Sequence, residues 1–376
     1  MKQNNTYSPA GNGYGPALLA SGQTATFQEG FPPPTPAVIP ASGIIANADR
    51  NQQYEVIPLD YKNPYTESWN LSVQQSLPLQ LTLDAAYVGN HGVRSPAAMN
   101  LNAATLVGLG TRGQPEYPRT ASTIQYWQGF SSLYNALQVK LDRRFASGLA
   151  ITTAYTWGKA MSYQTSDDGG LMFYVTGQER RNYAPADFNR THAFVQSYVY
   201  DLPLGKGKRY LADGAAASIL GGWQVNGILT LMSGLPVNIT YSASGLSAPG
   251  NQQTPDLVAP VTFPHGINTG NPWFSVASFA APAAGRFGTL GRNRITGPAF
   301  FDLDFSLFKN IAIGERFKLQ LRGEAYAVTN TPQFERPGGT LGSTNFGYIT
   351  SVISSGSGVN GVGGGRTIQL GAKLSF

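Results

Sequence analysis

Five charged side chains near the end of the chain have the spacing of a working surface. Asp302 and Asp304 alternate along one segment, and Lys318, Arg322 and Glu324 alternate along the next, across a short turn. Alternate residues of an extended chain share a face, so all five are expected to line one side of a hairpin. Opposite charges across paired strands stabilise the pairing by a few tenths to about 1 kcal/mol each. The expected chemistry is a polar ladder facing water, with docking of another domain or passage of a solute as its functional use. Other clusters carry less. Ala184–His192 gathers Asp187, Arg190 and His192 just ahead of a strand, as an Asp/Arg network capping that strand or as a ligand contact. Asp167-Asp168-Gly169-Gly170 offers carboxylates to calcium but lacks the later ligands and closing Glu of an EF-hand loop. His91, His192 and His265 have no metal-ligand spacing, and there is no Gly-x-Ser-x-Gly elbow. Gly11–Gly15 and Gly363–Gly365 lack a P-loop lysine and a following helix. With no cysteine in the chain, thiolate metal sites, disulfides and cysteine nucleophiles are excluded. The residues specify no enzyme, no metal and no cofactor.

The elements that must position the five charges are strands. Charged residues are only 12% of the 376, while Gly (45) and Pro (25) are abundant, and mean hydropathy is -0.17. Soluble domains carry about twice that share of charge. No run of 18 apolar residues occurs, which excludes a membrane-crossing helix. The net charge of +6 is dispersed, so no basic patch for nucleic acid is expected.

Alternation recurs along the chain. Trp69, Leu71, Val73 and Leu77 oppose Ser68, Asn70, Ser72, Gln74 and Ser76, with Gln75 breaking the apolar row. Across Pro78 a second strand runs over 79–89. The third, 131–145, carries Leu133, Leu137, Val139, Leu141 and Phe145 with Arg143 as the exception, and 149–158 returns after Ala146-Ser147-Gly148. A strand around 193–199 follows. Trp223–Tyr241 reads as one long strand kinked at Gly234-Leu235-Pro236. The last hairpin pairs 301–307 with 317–327, and Ile368, Leu370, Ala372, Leu374 and Phe376 form the outward row of the final strand. Long irregular stretches are expected at 90–130, 159–190 and 243–299. Trp69, Tyr87, Trp157 and Trp223 fit the aromatic girdles of a membrane barrel.

Nine strands result, and their connections alternate short and long. Transmembrane barrels segregate their loops in this way, with short turns in the periplasm and long loops outside. The fold class expected is therefore all-β, an antiparallel transmembrane β-barrel. Counting back from Phe376, the first strand near 66 starts outside. Complete bacterial barrels have even strand numbers, so the expectation is the carboxy-terminal part of a larger barrel. Residues 1–65 would be an irregular extracellular loop or linker, and 66–376 a partial barrel. The amino terminus shows no signal-peptide pattern. The outward row ending at Phe376 is expected to mark the chain for the barrel-assembly machinery, with outer-membrane lipid around it.

Several segments, in order, carry a family resemblance: Asn63–Gln74, Ala86–Gly92, Tyr134–Gln138, Tyr155–Lys159, Gly221–Gly227, Ser233–Pro236 and Asp302–Phe308. Across about 60–376 the chain resembles the carboxy-terminal barrel portion of TonB-dependent outer-membrane receptors, in the Oar-like, carboxypeptidase-regulatory-domain group. The resemblance implies a 22-strand parent barrel holding a plug domain. It also implies coupling to TonB, a location in the outer membrane of a Gram-negative bacterium, and import of large or scarce substrates. This chain carries neither plug nor TonB box, so transport by it alone is not expected. A surface or adhesion protein binding partners through its long loops is the alternative, and a soluble carbohydrate-binding module a third reading.

Overall fold

The computed structural model describes residues 41, 53–164, 169–267, 270–314, 316–353 and 365–376. The glycine-rich segment 11–15, Asp167, Asp168, Gly363 and Gly364 lie outside the described residues.

Among the described residues nine long strands form one antiparallel sheet: β1 (Tyr65–Leu77), β2 (Leu81–Asn100), β3 (Thr123–Ala146), β4 (Leu149–Ser162), β5 (His192–Asp201), β6 (Trp223–Met232), β7 (Phe300–Ile313), β8 (Phe317–Tyr326) and β9 (Thr367–Ser375). Spatial order follows chain order from β1 to β9, a pure meander. The sheet does not close, and β1 and β9 are its edges, exposed along their whole length.

Register shows why alternation was informative. Residues directly opposite in a sheet share a face, and the pairings Trp69↔Gly89↔Asn135, Leu71↔Tyr87↔Leu137↔Trp157 and Val73↔Ala85↔Val139↔Tyr155 carry the apolar row from β1 to β4. At the other edge Val225↔Leu307↔Gly323↔Leu370 carries it from β6 to β9. In β5 the row is Phe194, Gln196, Tyr198 and Tyr200. Ala193, Val195, Ser197 and Val199 share the polar face with Asn226 and Thr230. One continuous face is thus apolar and the other polar. Trp69 packs over Gly89, its cross-strand partner, where a Cβ would collide with the indole.

The short turns gather at one end. Ser147 (φ 51°) and Gly148 (φ 84°) make a two-residue turn with both φ positive, the type I′ geometry whose twist suits a hairpin. One exception in the apolar row, Arg143, finds its reason here. Arg143 donates from Nε to the Leu79 carbonyl (3.1 Å) and from Nη1 to Leu149 O (3.1 Å), tying two adjacent turns together.

Three sequence expectations change. Strands β2 and β3 run about ten residues further than their alternation suggested, and their connection shrinks to 101–122. The reason is a pair of register shifts, between Gly92 and Ser95 and between Ser95 and Ala97. Bulges of this kind break the period without ending the ladder. Trp223–Tyr241 is not one kinked strand: β6 stops at Met232, and Pro236–Val237 pairs instead with Ile295–Thr296 in a separate two-stranded sheet. Pro236 has no N–H for the main ladder, and the Gly297 amide donates to Leu235 O (2.9 Å) as the chain leaves it.

The third change concerns the long connections 101–122, 163–191, 233–299 and 327–366. Their described residues are not irregular cover; they hold two buried hydrophobic clusters. Ala104, Met172, Phe173, Val175, Leu246, Ala248 and Phe287 form one cluster. Val237, Ile239, Phe274, Phe279, Leu290, Ile295 and Phe346 form a second. Together they make a packed cap at the long-connection end of the sheet.

Candidate functional site

The polar face of the sheet and the cap above it are the two surfaces able to meet a solute. On the polar face Asn70, Ser72, Asp84, Gln138, Lys140 and Thr156 line a cleft of about 500 Å³. Lys140 holds Asp142 at 2.5 Å, and Thr152 donates to the same carboxylate at 2.8 Å.

The five charged candidates all fall on this face, but register sets them at different heights. Asp302 and Asp304 pair with Thr230 and Ile228 on β6. Glu324 lies opposite Ser306, Arg322 opposite Phe308, and Lys318 opposite Ala312, nearer the short turns. No acid faces a base. Arg322 instead lies over the Phe308 ring (5.0 Å to the centroid) and donates from Nε to Gln320 (2.7 Å). Asp304 accepts the Ala327 amide (2.9 Å), anchoring the start of the connection to β9. The outward row Ile368, Leu370, Ala372, Leu374 follows the partners Ala325, Gly323, Leu321 and Leu319. The Phe376 ring lies 6.5 Å from that of Phe317.

Aromatics sit at both limits of the apolar face. Tyr87 and Trp157 share a level through Leu137, and Trp223 opens β6 at the short-turn end. There Lys309 donates to the carbonyls of Ser218 (3.0 Å), Ile219 (2.8 Å) and Gly221, at the C-terminal end of α1 (Gly214–Leu220). A cation there complements the helix dipole. Hydrogen bonds to a charged group contribute about 1.5–3 kcal/mol. Lys309→Met is expected to cost about 2–3 kcal/mol in all. A denaturant titration in micelles followed by Trp223 emission checks it, because that indole donates to Ile219 O (3.2 Å) and will report release of α1.

The cap is built by buried amides and arginines that satisfy loop backbone. Asn182 accepts the amides of Met172 (2.9 Å) and Phe173 (3.1 Å) and donates to Phe173 O (2.8 Å). Asn251 accepts from Tyr174 (2.6 Å) and donates to Ala104 O (2.8 Å), joining three connections. Such side chains replace a missing backbone ladder, since buried N–H and C=O groups must be paired. Arg181 donates to Thr254 (3.1 Å), Gly288 O (2.6 Å) and Leu290 O (3.0 Å), with its guanidinium over the rings of Phe173 (4.8 Å) and Phe287 (5.3 Å). Arg292, 1% exposed, donates to Ser162 O (2.6 Å) and Gln164 O, with Asp187 at 3.9 Å. Burial draws the pKa of Arg181, Arg190 and Arg292 below the usual arginine value, opposed at Arg292 by the Asp187 charge.

The Ala184–His192 segment works as a strand cap. Asn189 accepts the Ala160 amide (2.7 Å), Arg190 donates to Ser233 O (2.7 Å), and Asp187 holds Asn293. The histidines are dispersed: His91 pairs with Glu67 (3.0 Å), His192 meets the Tyr155 hydroxyl (2.8 Å), and His265 lies edge-on to Trp273 (4.6 Å). Among the described residues no three His, Asp or Glu side chains gather to hold a metal. Sequence reasoning missed Arg181, Arg292 and Asn251, because their partners lie far off along the chain, and Asn182, whose nearby partners Met172 and Phe173 follow no strand or helix period. A signal was present in the density of arginine over 179–194 and 286–294 against few acids.

The sequence matches the family described as outer membrane beta barrel domain over residues 1–369. Among curated proteins a sequence search finds no match. Solved structures similar to it include the outer membrane transporter YddB from Escherichia coli (10% identity, TM-score 0.45, covering 86% of this chain and 34% of that one). The FrpB iron transporter from Neisseria meningitidis is similar at 10% identity and TM-score 0.41, with 86% and 33% covered. So is the pyoverdine outer membrane receptor FpvA from Pseudomonas aeruginosa PAO1, at 9% and 0.40, with 83% and 30% covered. The chain spans about a third of the length of these structures. Nine strands that align one face for lipid and one for water are what such a family match requires, and the chain belongs to the outer membrane β-barrel domain family and resides in the cell outer membrane.

Proposed function

We propose that this chain is the carboxy-terminal barrel part of a TonB-dependent outer-membrane receptor of the Oar-like, carboxypeptidase-regulatory-domain group. Its parent imports large or scarce substrates, with a plug domain and TonB as partners, and the chain performs no catalysis. The observation that carries the reading is the open meander: a continuous polar face, bounded by two exposed edge strands, lies beneath a packed cap of long connections. An edge with unpaired backbone groups needs a neighbour in a bilayer, where water cannot satisfy them. Further strands between β9 and β1 supply that neighbour. Residues 1–65 form an extracellular loop region and 66–376 the partial barrel. The parallel pairing of Tyr54–Val56 with Thr123–Gln125 sets that short segment at the long-connection end of β3.

Ile368, Leu370, Ala372, Leu374 and Phe376 act as the assembly signal, and Asp302, Asp304, Lys318, Arg322 and Glu324 face the lumen. Phe376→Ser is expected to lower the membrane-inserted, heat-modifiable fraction several-fold. Leu370→Arg, on the lipid face, is expected to cost about 2–4 kcal/mol near the bilayer midplane. The same inserted fraction in both variants as in the parent sequence, read by the gel shift on heating, would overturn the reading. The alternative, a surface or adhesion role, draws on the size of the cap; retained partner binding in a barrel that passes no solute would favour it.

A further inference from the structure

A cavity of about 580 Å³ lies in the cap between the 163–191 and 233–299 connections. Arg180, Arg181, Arg292 and Arg294 line it with Tyr183 and Thr289, and among the described residues no acidic one does. The two inner arginines are fixed. Arg292 is spent on Ser162 and Gln164, and its Nε is left without an acceptor. Arg181 is held among Thr254, Gly288 and Leu290. Arg180 and Arg294 are exposed and enter no ion pair among the described residues.

The acids around the cavity are already engaged. Glu179 accepts the Gly177 amide (3.1 Å), and Asp187 holds Asn293 beside Arg292. Asp256 is clasped by Arg286 through two bonds (2.8 and 2.6 Å). Four guanidinium groups around one hollow repel each other, and the more so where water is thinned. A planar guanidinium presents paired N–H donors that match the oxygens of a carboxylate or a phosphate.

We propose that this cavity binds an oxyanion group, a carboxylate or a phosphate, on a ligand approaching the cap from outside. The assignment rests on the extracellular placement of the long connections and is independent of transport. The exposed pair Arg180 and Arg294 captures the anion, and the fixed pair Arg181 and Arg292 supplies a field that needs no rearrangement.

The test uses the whole chain, refolded in detergent micelles and shown by its gel shift on heating to be folded. Calorimetric titration with inorganic phosphate and with citrate should each give saturable binding that weakens as sodium chloride is raised to about 0.5 M. Arg180→Gln combined with Arg294→Gln should weaken it at least tenfold, with the gel shift unchanged. Stronger binding of phosphate assigns a phosphate-bearing ligand, and stronger binding of citrate a carboxylate. Absence of saturable binding of both probes by the folded protein would overturn the site, as would equal affinity in the double variant. Loss of the gel shift in the parent chain would instead count against the barrel reading, so the two failures are distinguishable.

Discussion

Phe274→Ala is expected to destabilise the cap by about 3–5 kcal/mol, the cost of emptying a fully buried aromatic site. Phe274 is 0% exposed and meets Phe279 and Phe346 edge-on, with centroids 5.4 Å from each and interplanar angles of 69° and 70°. Phe346 belongs to the 327–366 connection and Phe274 and Phe279 to 233–299, so truncation removes one of the contacts that join the two connections. Hydrogen exchange in 272–280 and 338–349 should accelerate while β1 to β9 keep their protection. Equal acceleration in the strands would show that cap and sheet open as one cooperative unit. Phe274→Leu, closer in volume, should recover most of the loss.

Arg292→Met is the second large effect, expected at about 3–5 kcal/mol, the range for removing one partner from a buried charged network. Methionine keeps the apolar stem. It takes the guanidinium donors from Ser162 O and Gln164 O, leaving the Ser162 hydroxyl on Gln164 O, and leaves Asp187 without its cation, and buried acceptors that lose a donor carry a desolvation penalty. Arg292→Lys should restore part of the stability, because a single ammonium cannot reach both carbonyls as the forked guanidinium does. Limited proteolysis within 163–191 reads the change: the Met variant should be nicked at a protease concentration that spares the parent. Arg180→Gln, exposed and free of ion pairs among the described residues, should leave that pattern unaltered. A matching nick there would mean that the arginines hold the cap only through their collective charge.

These two residues also mark the boundary of what the chain shows in linear form. The strands were legible because a side chain's face is set by the parity of its position, a local property of extended backbone. Trp69, Leu71 and Val73, or Ile368, Leu370 and Leu374, declare their face before any partner is known, and the register confirms that these rows align. Parity failed where the backbone was irregular. At Gly92–Ala97 two register shifts hid the upper half of β2. At Ser233–Pro236 alternation continued across a break, so that Val237 and Ile239 looked like a continuation of β6 while they were filling the second core cluster.

The cap was invisible for another reason. Phe173 and Phe287, or Arg292 and Ser162, are more than a hundred residues apart. They meet without any period, and neither composition nor spacing announces such a contact. By itself the sequence determined nine alternating segments, two chemically distinct faces and the segregation of short and long connections, since each follows from local geometry and residue type. Only the tertiary structure decided that the long connections fold into a core of their own. It also decided that β6 ends at Met232, and that four arginines converge on one cavity. Those outcomes depend on which distant groups can satisfy buried backbone and charge, a condition that exists only once the chain has folded.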